Sequence, residues 1–144
     1  MTDTAKGFRF RGRKGENQRA TIQNLVLNAS ITLTAGDLVT ETGGKIVLGV
    51  TGATNFLGVV YETKAGTGST TKYRVCVDAD AIYGVYDNNA RVKGATLDIA
   101  GTTGAQTVAT SSNKEFVVYA TKANASDETL VCFNVGKHLD NLAQ

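Results

Sequence analysis

The stretch Thr70–Tyr86, "TTKYRVCVDADAIYGVY", decides the fold class. Along it Tyr73, Val75 and Val77 fall on one side of an extended chain, and Lys72, Arg74 and Asp78 fall on the other together with Cys76. Apolar residues recurring every second position mark a half-buried strand. Upstream, "TIQNLVLNASITLTAGDLVTETGGKIVLGVTGATNFLGVVYET" (Thr21–Thr63) breaks into short Val-, Ile-, Leu- and Thr-rich segments separated by Ala-Gly-Asp, Gly-Gly and Thr-Gly-Ala, the punctuation of an all-β domain. Downstream, "EFVVYAT" (Glu115–Thr121) and "TLVCFNV" (Thr129–Val135) flank the polar "KANASDE" and predict a hairpin.

Helical periodicity is absent after Thr21, and the tail "GKHLDNLAQ" has room for one helical turn at most. With 16 glycines and no proline, turns must be made by Gly, Asn and Asp, which suits tight connections between paired strands. Loops are expected at "ETKAGTGSTTK", "YDNNARVKGA" and "IAGTTGAQT", and no fixed-period repeat of the solenoid or propeller kind is evident. The 144 residues, 42% hydrophobic and 19% charged, suffice for one core-forming domain. The expectation is an all-β chain: a compact β-barrel or β-sandwich over residues 21–144, preceded by an extended basic arm over residues 1–20.

That arm is set apart by charge. Lys6, Arg9, Arg11, Arg13, Lys14 and Arg19 against Asp3 and Glu16 give the first twenty residues a net +4, which leaves −2 for the remainder of a chain whose total is +2. "GFRFRGRKGENQRAT" (Gly7–Thr21) also interleaves Phe8 and Phe10 with arginines. Such a segment suits an anionic or hydrogen-bond-accepting surface. A nucleic acid is one candidate, through phosphate neutralisation and base stacking, but the acidic body supplies no matching charged groove.

Catalytic chemistry finds little support. The only histidine, His138, is expected as a solvated residue of the tail, far from a nucleophile it could serve as base. Asp78, Asp80 and Asp87 do not follow the EF-hand pattern, and Asp78 and Asp80, which share one face if the strand continues, are expected to be solvated, so no metal site is assigned. "AGTGST" lacks the Gly-Lys-Ser/Thr of a phosphate-binding loop, and no cofactor is expected. Cys76 and Cys132 each sit in an apolar run, outside any metal-ligand spacing, and are expected as buried free thiols in a reducing cytoplasm. No apolar run is long enough to span a bilayer, no signal-peptide core precedes the body, and the two Asn-x-Ser matches are taken as incidental.

From Ala35 to Ala123 the order of segments resembles the decoration, or cement, proteins of tailed-bacteriophage heads. The resemblance is carried by "GDLVT…GGKIV", "FLGVVYET", "YRVCVDADAIYGVY", "ARVKGATLDIAGTTG" and "FVVYATKA". A Gly-Asp-x-Leu/Val start, Gly36 to Val39, is answered later by Val92, Gly94 and Leu97. The resemblance implies a non-enzymatic virion protein on the outer capsid surface, bound to the major capsid protein and self-associated, with a trimer favoured. It also implies capsid-gripping termini, here Phe8, Arg9, Phe10, Arg11, Arg13, Lys14 and Arg19. Such an arm would be dispensable for folding of the body.

Overall fold

The computed structural model describes residues 7–14, 20–28, 31–65, 71–101, 106–110, 113–123, 128–134 and 136–138. Thirteen strands and no helix occur among them. In chain order these are β1 (Phe8–Arg13), β2 (Ile22–Val26), β3 (Thr32–Leu33), β4 (Leu38–Thr42), β5 (Lys45–Leu48), β6 (Phe56–Val59) and β7 (Lys64–Ala65). They continue as β8 (Lys72–Cys76), β9 (Ala81–Tyr86), β10 (Thr96–Ala100), β11 (Thr107–Ala109), β12 (Phe116–Val118) and β13 (Glu128–Phe133). The class is all-β as expected, with no closed barrel among the described residues. A six-stranded antiparallel sheet, β1-β9-β13-β12-β10-β11, packs with a three-stranded sheet, β5-β4-β6, and the pairs β2-β8 and β3-β7.

The expected hairpin is present: β12 and β13 pair antiparallel, Val117 opposite Cys132, while residues 124–127 of its connection lie outside the described residues. The alternation that opened the sequence reading is also realised. Lys72 and Arg74 are exposed, and Tyr73 and Val75 are fully buried. Cys76, on the solvent-side parity, is buried as well, because at that point β8 passes between two cores.

Those cores explain why other strands read as continuous apolar runs. One contains Leu27, Val39, Ile46, Leu57, Val60, Tyr73 and Val75; the other contains Leu38, Phe56, Val59, Cys76, Tyr83, Leu97, Phe116 and Phe133. Successive residues of β4 and β6 enter different cores, so "FLGVV" is a middle layer covered on both faces. Gly58 is required in that layer: a Cβ there would lie 2.0 Å from the Cys76 carbonyl oxygen.

The body is built twice. β2, β8, β6, β4 and β5 repeat as β9, β13, β12, β10 and β11 with the same neighbours and the same antiparallel sense, the β6–β8 contact being a single bridge at Val60–Val75. The hydrogen bonds repeat with the strands. Gly36 N donates to Val60 O as Gly94 N does to Val118 O, and Val60 N to Asp37 O as Val118 N to Ala95 O. Asp37 N bonds Thr34 O as Ala95 N bonds Val92 O, and Tyr61 N bonds Arg74 O as Tyr119 N bonds Leu130 O. Gly36 and Gly94 both have positive φ, 97° and 90°, which a side chain would strain. The repeat pairs Cys76 with Cys132 and Lys72 with Glu128.

Within residues 1–20, expected as an extended basic arm, the structure describes residues 7–14 and residue 20. Over Phe8–Arg13 the supposed arm is β1, paired antiparallel with β9 from Phe8–Val85 to Arg13–Ala81, with a register shift between Phe10 and Gly12. Period-two alternation is the cause: Phe8 and Phe10 turn inward while Arg9 and Arg11 turn out. Residues 1–6 and 15–19 lie outside the described residues.

Candidate functional site

The residues expected to grip a partner divide sharply in the structure. Phe8 is 1% exposed and belongs to the core, stacked on Phe116 with centroids 5.3 Å apart and edge-on to Tyr83 at 6.4 Å. It is a structural residue, not a surface anchor. Phe10 is partly buried, edge-on to Tyr83 at 6.5 Å. Arg9, Arg11 and Arg13 face carboxylates of their own chain. Arg11 forks onto Glu128, Nε to Oε1 and Nη2 to Oε2, both at 2.8 Å, and Arg9 Nη1 reaches Oε2 at 3.1 Å. Glu128 reaches them by lying across Gly84, where a Cβ would collide with its carboxylate. Arg13 Nε lies 2.8 Å from Asp80 and 3.5 Å from Asp78. Lys14 is exposed, and Arg19 lies outside the described residues.

These pairs tie β1 to β13 and to the segment before β9, but with side chains 24–46% exposed the arginines contribute little stability individually. The interior residue Phe8 holds the strand; the arginines fix its register. Asp78 and Asp80, expected to be solvated, are instead Arg13 partners, and Asp78 is buried. Its carboxylate also accepts from Thr21 N at 2.6 Å and lies 3.6 Å from Cys76 Sγ, which Tyr83 Oη meets at 3.4 Å. Burial pushes the Cys76 thiol up, and the Tyr83 hydroxyl well up. Burial, with Cys76 and Asp78 beside it, pushes Tyr61 to about 12. The seam therefore keeps its thiol protonated and unsuited to nucleophilic attack.

His138 is likewise not solvated. It is fully buried, its Nε2 2.7 Å from Leu57 O and its ring edge-on to Phe133 at 5.1 Å. It fastens the chain end to the middle layer. Asp87 is buried and bound by Arg91 through both oxygens, by Asn89 and by Thr129, with Lys122 3.9 Å away. Burial alone would raise its pKa; the hydrogen bonds from Arg91 and Asn89 and the charges of Arg91 and Lys122 outweigh burial and lower it.

Two further buried carboxylates, Asp98 and Glu115, were not singled out by sequence. They share the Thr51 hydroxyl and accept backbone N–H groups from Asn113 and Lys114, and from Gly52 and Ile99. Backbone donors thus do the work a cation would do. Among the described residues no group of three His, Cys, Asp or Glu could hold a metal ion. Both cysteines are free and buried.

Among the described residues, one face of the first unit is open. A cleft of about 380 Å³ is lined by Ile22, Tyr61 and Arg74, beside the exposed Ile22, Gln23 and Asn24 of β2. The sequence signal was present in "IQN", whose apolar residue has no burial partner in the alternating pattern, but only pairing shows it to be an edge. No family model and no curated protein matches the chain.

Proposed function

We propose that the protein is a structural decoration protein of a tailed-bacteriophage head, added to the outer surface of the finished shell, contacting the major capsid protein and acting as a trimer. The observation that carries this is the repeated turn. Gly36–Val39 and Val92–Leu97, the segments that bear the resemblance to such proteins, are the two equivalent positive-φ glycine turns that start β4 and β10. The resemblance therefore rests on the elements that organise both units. Further support comes from the polar interior: Asp78, Asp87, Asp98, Glu115 and His138 are each committed to bonds within the fold.

In this role β1 locks the body together, and the shell is gripped by exposed strand edges and loops, multiplied by three-fold symmetry. The nucleic-acid reading loses its main support, since Arg9, Arg11 and Arg13 already face Glu128, Asp78 and Asp80.

The test is sedimentation of the full chain with undecorated heads of the encoding phage and, separately, with single-stranded DNA, alongside light scattering. Co-sedimentation with heads and a trimeric mass are expected. A strict monomer removes the trimer, and binding to DNA but not to heads overturns the proposal.

A further inference from the structure

We infer that the outer edge of β2 is a docking site for a strand of another protein, an extended segment in which apolar residues alternate with Asp or Glu. Three observations lead there. The first is the internal repeat, in which β2 stands to β8 as β9 stands to β13, register included: Leu25 opposite Tyr73 matches Val85 opposite Thr129. In the second unit the far edge of β9 carries β1. In the first unit the equivalent edge meets Ile46 of β5 at its C-terminal end, through the parallel bridge at Leu27 and Asn28 N to Ile46 O, and carries no strand over Ile22–Asn24 among the described residues.

The second observation is the edge itself. Thr21 O accepts from Val77 N and Leu27 N donates to Thr71 O, so the odd-numbered residues bond inward to β8. By the alternation of an antiparallel ladder, Ile22 and Asn24 then turn their N–H and C=O groups outward, whereas beyond them the edge is met by Ile46 of β5. Sheet edges are commonly protected by charge, proline or a bulge, whereas "IQNLV" has no charge and no proline, and its pairing runs without a register shift. Ile22 is 44% exposed and borders the cleft shared with Tyr61 and Arg74.

The third observation selects the chemistry. On the second unit, β1 presents Arg9 and Arg11 to Glu128, and Phe8, opposite Val85, enters the core. The positions equivalent to Glu128 and Leu130 on β8 are Lys72 and Arg74, both exposed. Lys72 makes no ion pair among the described residues, and Arg74, with its side chain 59% exposed, has Glu62 at 3.6 Å. Asn24 stands where Gly84 lets Glu128 lie across β9, so Lys72 does not cross β2 in the same way, but the exposed face that an incoming strand meets is positive where the second unit's is negative. It calls for carboxylates on the outer side and, opposite the half-buried Leu25, an apolar residue on the inner side. Another copy's β1 does not fit, since it would set arginines against Lys72 and Arg74. Which assembly supplies the strand is a separate matter from this chemistry.

The experiment uses the isotopically labelled full chain and two eight-residue peptides, one alternating Val and Glu and one alternating Val and Lys. Two added charge contacts of surface strength amount to about a tenfold preference for the Glu peptide. Amide-exchange protection is expected to appear at Ile22 and Asn24 and to leave β9 unchanged. Asn24→Pro removes one outward N–H, which an edge strand tolerates, and is expected to abolish binding. Should that variant unfold, Lys72→Glu on the surface serves instead and is expected to shift the preference toward the Lys peptide. Equal or absent binding of the two peptides, or binding without protection on β2, overturns the inference. Protection of β2 in the peptide-free protein, rising with concentration alongside a dimeric mass, assigns the edge to a second copy and overturns it too. Head sedimentation can succeed or fail independently of these outcomes.

Discussion

Replacing Phe8 by Ala separates a strand from an arm. A solvated arm would lose an exposed ring with no effect on folding, whereas in this structure Phe8 is 1% exposed between Phe116 and Tyr83. Truncating a buried Phe loses its transfer free energy and leaves a cavity, about 3–5 kcal/mol together. The ring lies against Phe116 and Tyr83 while its backbone is held by the Gly36 turn, Phe8 N donating to Gly36 O at 2.8 Å, so collapse to fill the void is limited. For a chain of this size that loss corresponds to a fall in Tm of roughly 10–15 °C. Phe10→Ala, at a partly buried ring, should destabilise by about 1–2 kcal/mol, and Arg11→Ala by less than about 1 kcal/mol because its side chain is 46% exposed. Urea unfolding followed by circular dichroism reads all three. Deleting residues 1–14 should be at least as damaging as Phe8→Ala, since it also bares the β9 edge. A Phe8→Ala protein as stable as wild type, or a deletion that folds unchanged, would refute the placement of β1.

Three further outcomes follow from the packing. Asp87 has a lowered pKa in the folded state, so it contributes stability above its unfolded value of about 3.9 that is lost as pH falls through the folded value. Arg91→Met should therefore destabilise by about 2–3 kcal/mol at neutral pH, short of a full buried-pair loss because Lys122 remains, and by less at acidic pH; a penalty independent of pH would contradict the pairing. Gly36→Ala and Gly94→Ala both incur left-handed strain of about 1–2 kcal/mol, but only Gly36 meets a neighbour, the Phe8 backbone, so its variant should be the less stable; equal losses would mean β1 does not lie against that turn. A reducing agent should leave Tm unchanged, as both thiols are free and buried, and a drop of several degrees would require a disulfide.

Local pattern determined much of this protein. Alternation placed β8, the apolar runs and Gly-rich breaks placed β4 to β6, and the two segments around "KANASDE" announced the β12–β13 hairpin. These are properties of a few consecutive residues, because strand periodicity and turn chemistry are local. Burial of the two cysteines was legible for the same reason.

Partnership was decided only in three dimensions. "FRFR" has the period of a strand, yet its charge suggested an arm, since nothing nearby in sequence shows that Val85 will pair with Phe8 or that Glu128 will meet Arg9 and Arg11. His138 became a core residue through the Leu57 carbonyl, and Asp78 a buried anion through Arg13 and Thr21 N. The repeat is not visible in the sequence because its halves face different surroundings: Arg74 lies on an exposed face where Leu130 is half-buried, and Cys76 enters a core that Cys132 does not join. Burial sets side-chain identity position by position, so two copies of one strand plan diverge in sequence while register and backbone hydrogen bonds, set by the chain itself, persist.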